Sequence, residues 1–106
     1  MLLFFHTPLH CDDLYHEIMD NQKSDCAYLV GTPMEMLECY SDHRFRQQVA
    51  TPQTRRFMDY LYRCDLVKAV FAGHLHHFWE SPLPNGVMQY VVGGQYKNHA
   101  RLIEID

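Results

Sequence analysis

Apolar residues fall along the chain in short runs broken by turn chemistry, and the period within each run predicts a different element. Residues 1–5 (MLLFF) are continuously apolar and stop at His6-Thr7-Pro8, which suits a strand covered on both faces. From Cys11-Asp12-Asp13 onward the period lengthens. Leu14, Ile18 and Met19 recur at helical spacing, and the acidic pair stands where a helix dipole favours it, predicting a helix to about Gln22. Residues 26–30 (CAYLV) read as a short strand closed by Gly31-Thr32-Pro33. Residues 34–49 mix Glu, Tyr, Asp, His and Arg without a clear period and are expected to be mostly loop. Thr51-Pro52 is a helix start, a hydroxyl cap followed by proline at the first helical position. That helix is predicted to about Cys64. Phe57, Leu61 and Cys64 form its inner face, Met58 and Tyr62 flank them, and Arg55, Arg56, Asp59 and Arg63 fall mostly opposite.

Residues 68–72 (KAVFA) give a second buried strand, ending at Gly73. Residues 77–81 and 87–92 read as strands around Pro84-Asn85-Gly86, and Asn-Gly is the strongest short hairpin signal. Residues 99–105 alternate and predict a last half-buried strand. The pattern is therefore α/β at first, with a mixed sheet, and an antiparallel meander at the end.

Composition narrows the class. The chain has 106 residues, enough for one domain, with 47% hydrophobic and 21% charged residues, as in an ordinary globular protein. A formal net charge of -4 argues against a nucleic-acid backbone binder, which needs a basic face. Cys11, Cys26, Cys39 and Cys64 form no C-x-x-C pair, which speaks against a zinc ribbon or thioredoxin-type site. The opening run is short, lacks a basic flank and is interrupted by a histidine, so it reads as core and not as a targeting or membrane segment. Free thiols in a cytoplasmic, reducing setting are the expectation.

The candidate chemistry lies in the histidines, of which there are eight. Gly73-His74-Leu75-His76 follows one buried strand and His6 follows another. Residues two apart share a strand face, and the glycine allows a tight bend beside the rings. An H-x-H pair alone suits hydrogen-bonded loop histidines equally well. Two strands that both end in histidine raise the metal reading, because open α/β sheets bind ligands at the carboxyl ends of their strands. His6, His74 and His76 are the expected ligands of one metal site, and imidazole suits Zn, Mn and Fe alike. His77 alternates with His76 and should point away. His10 and His16 read as surface groups, with His10 the better outside candidate because it shares the loop of His6. His43 sits with Arg44 and Arg46 in what reads as a solvated basic patch, and His99 carries no role. Asp12 and Asp13 could stand in as carboxylate ligands, although charge at a helix start is the simpler account. Phe78, Trp79 and Tyr90 are expected in a meander core.

The strings FFHTPLH and AVFAGHLHHFWE resemble the last two histidine blocks of the calcineurin-like metallophosphoesterases. Asn85-Gly86-Val87-Met88-Gln89-Tyr90-Val91 and the closing VVGG…ARLIEI resemble that family's final strands. The resemblance implies the C-terminal half of a four-layer αββα sandwich, with residues 1–106 as one partial domain. It implies that His6 and His74 bind one ion and His76 the other, in a dinuclear centre where metal-bound hydroxide attacks a phosphate ester. The family's D-x-H, G-D-x-x-D and G-N-H-[DE] blocks do not occur in this sequence. With them go the bridging carboxylate and the histidine that assists the leaving group. Neutral imidazoles alone do not offset the repulsion of two close cations. The chain alone is therefore expected to hold a weak or single ion and to turn over little. Three functional readings follow: a phosphoesterase fragment, a non-catalytic metal-binding or interaction domain, and a subunit that completes a site with another chain. Uncovered sheet surface would favour a homo-oligomer or a complement carrying the absent blocks. Substrate and metal identity are not specified by the sequence.

Overall fold

The two apolar runs pair with each other. β1 (Leu2–Phe5) lies parallel to β2 (Ala69–Ala72), in register from Leu2 beside Ala69 to Phe5 beside Ala72. The computed structural model describes residues 1–21, 29–38, 40–75, 77–93, 100 and 102–104. Among these the chain is a small α/β domain with a four-stranded sheet in the order β1-β2-β4-β3, where β3 is Trp79–Pro82 and β4 is Met88–Val91. β4 is parallel to β2 and antiparallel to β3, so the sheet is mixed.

The expected Asn-Gly turn joins β3 to β4. Gly86 takes a positive φ of 86°, and its N–H donates to Leu83 O at 2.8 Å. The end of the chain differs from the meander read in the sequence. The second neighbour of β4 is β2, in parallel, so the antiparallel part is a single hairpin. Residues 102–104 carry no strand pairing, and the rest of the predicted last strand, except Ala100, lies outside the described residues. Of the strand predicted over 26–30, Leu29 and Val30 are described, and Val30 makes one isolated parallel bridge with Leu9.

Helix α1 (Asp12–Asp20) begins with Asp12 and Asp13 in its first turn and buries Leu14 and Ile18, as the period predicts. Helix α2 (Asp42–Gln48) and a 3-10 turn (Met34–Met36) occupy much of the stretch expected to be loop. The Ser41 hydroxyl caps α2 by accepting the Arg44 N–H at 3.4 Å. Phe45 and Gln48 are all that this helix turns inward, too sparse a stripe to register as a period. Helix α3 (Pro52–Arg63) starts as expected, with the Thr51 hydroxyl accepting the Thr54 N–H at 3.1 Å. Its inner face is rotated from the predicted one. Met58 and Leu61 are buried, whereas Phe57 is 44% exposed and meets Phe5 edge-on. Gly31 explains the rotation, because a Cβ there would overlap the Met58 sulfur. The missing side chain makes the hole that the thioether fills.

Leu14, Ile18, Met58 and Leu61 form one core with Val70 and Val91, and Leu3, Phe5 and Trp79 pack against it. All of these sheet residues share one side of the sheet by the strand registers. On the other side Leu2 and Phe4 are exposed, so β1 is not covered on both faces. The helices that connect β1 to β2 pack on one side only. The molecule is accordingly thin, 18 Å in its shortest dimension. No helix among the described residues is long and apolar enough to cross a membrane.

One buried side chain ties the hairpin to the segment after β1. The Leu9 N–H donates to Gln89 Oε1 at 2.8 Å, and Gln89 Nε2 donates to Leu9 O at 2.9 Å. On the opposite edge of this segment the His10 N–H donates to Val30 O, and the Val30 N–H to Pro8 O, both at 2.8 Å. The Gln89 amide thus does for Leu9 what a neighbouring strand would do. A buried polar group without such partners costs about 1–3 kcal/mol. Replacing Gln89 by Leu keeps the volume but strands both Leu9 backbone groups. Urea denaturation of Gln89→Leu is expected to show a loss of about 2–4 kcal/mol. A loss below about 1 kcal/mol would mean that the amide does not hold the segment.

Candidate metal centre

β1 and β2 end together, and the backbone carries their register one step further. The Gly73 N–H donates to His6 O at 3.0 Å. The chain then turns sharply, with the Leu75 N–H donating to Gly73 O at 2.7 Å. The unusual conformation of this turn belongs to His74, whose φ is 66°, and not to Gly73. A Cβ at Gly73 would make only ordinary contact, 3.8 Å from His6 O, so the glycine is not needed to clear the rings. A non-glycine residue held left-handed stores strain, and such strain gathers at functional sites.

The turn brings His74 back onto His6. His74 Nδ1 lies 3.2 Å from His6 Nε2, across 68 positions of sequence. The ring centroids are 5.1 Å apart and the planes meet at 69°. His6 is exposed, while Nε2 of His74 is buried. The distance fits an N–H···N hydrogen bond, with one ring donating and the other accepting. It also fits two ligands on one ion. At a bond length of 2.0–2.1 Å, nitrogens in adjacent positions stand about 2.9 Å apart in octahedral geometry and about 3.4 Å apart in tetrahedral geometry. The pair therefore supplies two neutral nitrogen donors at the separation a zinc-sized cation requires, on an accessible rim.

His76, the third expected ligand, lies outside the described residues. Among the described residues no group of three or more His, Cys, Asp or Glu side chains gathers to hold an ion. Asp12 and Asp13 lie in the first turn of α1, and Asp12 is engaged elsewhere, with Oδ1 2.9 Å from His10 Nε2. His10 is a correction to the surface role expected of it, because it is buried and tilts against Tyr15 at 5.8 Å. A ring that near a helix start finds both a carboxylate and an aromatic face, and these draw it inward. His16 and His43 are exposed, and Arg44 donates to Gln47 Oε1 at 3.2 Å. His77 Nδ1 lies 3.2 Å from Leu75 O, and its ring meets Trp79 edge-on. Phe78 is exposed and Trp79 and Tyr90 are half-buried, so the expected meander core does not close around them. Burial pushes the Cys11 thiol up from its usual range, which leaves it a poor nucleophile.

Sequence reasoning missed two features that position this site. The left-handed His74 has no sequence signal, since glycine is the residue that normally marks such a turn. Gln89 had one, as a polar residue inside the otherwise apolar run 87–92, where burial demands a partner. If the His74 strain is kept for the sake of its imidazole, glycine should relieve it. His74→Gly is expected to match or exceed the wild-type stability, by up to about 1 kcal/mol, while abolishing ion binding. A loss of more than about 1 kcal/mol in thermal or urea unfolding would show that the ring is structural.

No model of a known protein family, no curated protein and no solved structure matches the chain.

Proposed function

We propose that His6 and His74 hold a divalent cation, Mn, Fe or Zn, and that the chain is the histidine-bearing part of a metal-dependent phosphoesterase. The observation that carries this reading is the 3.2 Å approach of two ring nitrogens at the carboxyl ends of adjacent parallel strands. Open α/β sheets bind their ligands at that edge. The blocks FFHTPLH and AVFAGHLHHFWE, with their likeness to the calcineurin-like family, support the phosphoester part of the reading. A sheet with its core on one side and exposed Leu2 and Phe4 on the other suits one half of an αββα sandwich.

The bound cation supplies Lewis acidity toward a phosphoryl oxygen and lowers the pKa of water. The protein's share is positional. β1 and β2 fix the two backbones, and the His74 turn aims Nδ1 at His6 Nε2. Both donors are neutral when they bind an ion, so they leave its charge uncompensated and attractive to a phosphate anion. The same neutrality opposes a second cation nearby, because no carboxylate ligand joins the pair among the described residues. One ion, phosphate affinity and negligible turnover are therefore expected of the chain alone. A metal-binding interaction domain is the second reading, favoured by the exposed apolar side of the sheet.

Calorimetric titration with Zn²⁺ or Mn²⁺, followed by inorganic phosphate, separates the two. The expected results are one ion per chain, at least tenfold weaker binding in His6→Ala and His74→Ala, and phosphate binding that requires the ion. No ion binding would overturn the metal site. Ion binding without phosphate binding would remove the phosphoesterase reading and leave the interaction domain. Robust hydrolysis of an aryl phosphate with Mn²⁺, abolished by His74→Ala, would refute the expected inactivity.

A further inference from the structure

The side of the sheet away from the core carries a row of stacked rings. Phe4, Phe71 and Tyr90 are neighbours across β1, β2 and β4. Their centroids are 4.9 and 5.5 Å apart, with planes inclined by 16° and 20°. Phe4 is 72% exposed at the end of this row. An apolar trough of about 580 Å³ runs beside it, taking in Leu2, Phe4, Phe71, Val92, Leu102 and Ile103. Leu102 is 91% exposed.

We infer that this side packs against the same side of a second copy of the chain, sheet on sheet, about a two-fold axis parallel to the strands. The area is of the right order. The exposed parts of these side chains amount to roughly 600 Å², near the roughly 800 Å² that each partner gives to a stable interface. The shape suits a sheet better than a small ligand, because rings set side by side across strands make a broad surface, whereas a ligand site buries most of its occupant. The charge pattern selects no foreign partner. Within the four strands, Glu80, on β3 at the edge of the sheet, is the one charged side chain on this side.

The same glutamate chooses the axis. A two-fold at right angles to the strands would set β3 over the partner's β3, with Glu80 facing Glu80. A two-fold parallel to the strands reverses the ring row onto itself. Phe71 then meets the partner's Phe71, Phe4 meets the partner's Tyr90, and Glu80 overhangs into water. Two ring layers fill the spacing of about 10 Å between packed sheets. The strands then run the same way in both copies, so both His6–His74 pairs open on one rim of the assembly.

Sedimentation velocity in EDTA tests this independently of the ion site. Wild type and Tyr60→Glu, on the exposed outer face of α3, are expected to form dimers that dissociate on dilution. Phe4→Glu is expected to weaken the dimer at least about 100-fold, with unchanged circular dichroism because the side chain is exposed. Leu102→Glu, a second position on the same side, is expected to act likewise. A single-chain mass for wild type from micromolar to millimolar concentration would overturn the inference. So would a dimer that survives Phe4→Glu, or an assembly larger than two.

Discussion

Parallel pairing of β1 with β2 has no local support. A parallel neighbour requires a long crossover, and here every residue from the end of β1 to the start of β2 supplies it. Two backbone bonds pin the register at its ends, Lys68 N–H to Met1 O at 2.8 Å and Gly73 N–H to His6 O at 3.0 Å. A slip of one residue would exchange the inner pair Leu3 and Phe5 for the outer pair Leu2 and Phe4, and would carry His6 off the His74 turn. The imidazole pair is thus a consequence of the core. Val70 and Val91 are fully buried beneath α1 and α3, and that burial holds the strands where the rings can meet.

Around this constraint the structure spends stability in one place and recovers it in another. His74 sits left-handed at a cost of about 1 kcal/mol. The Gln89 amide, wholly buried, secures the segment that leaves β1 and the hairpin that follows β2 in a single pair of bonds. It therefore braces both sides of the turn region without entering it. The His10–Asp12 contact anchors the start of α1 in the same segment. The polar interactions of the core thus concentrate next to the candidate site, whereas the far side of the sheet is left to rings and aliphatic side chains.

Much of this was legible in the chain. Thr51-Pro52, Asp12-Asp13 and Asn85-Gly86 mark their helix starts and their turn through local chemistry, and the structure uses each of them that way. The convergence of His6 and His74 was also legible, because two apolar runs ending in histidine become adjacent once they pair as parallel strands. What could not be read depends on distant contacts. The run 1–5 is apolar throughout, so nothing in it says which side of the sheet the helices choose. α2 has a good cap but little to bury, and capping without a stripe gives no period. Phe57 and Met58 exchanged roles because of a hole at Gly31, which no pattern within α3 encodes. His10 turned inward toward a carboxylate two residues away, a local contact whose burial is set by the packing of Tyr15 above it.

The account stands or falls on whether the two rings share an ion. Anomalous diffraction at the zinc edge from crystals grown with Zn²⁺ answers this most directly. A peak is expected about 2.1 Å from both His6 Nε2 and His74 Nδ1, with the nitrogens still close to their present 3.2 Å separation. Zinc elsewhere on the chain with none at this pair, or rings separated beyond the reach of a single ion, would contradict it.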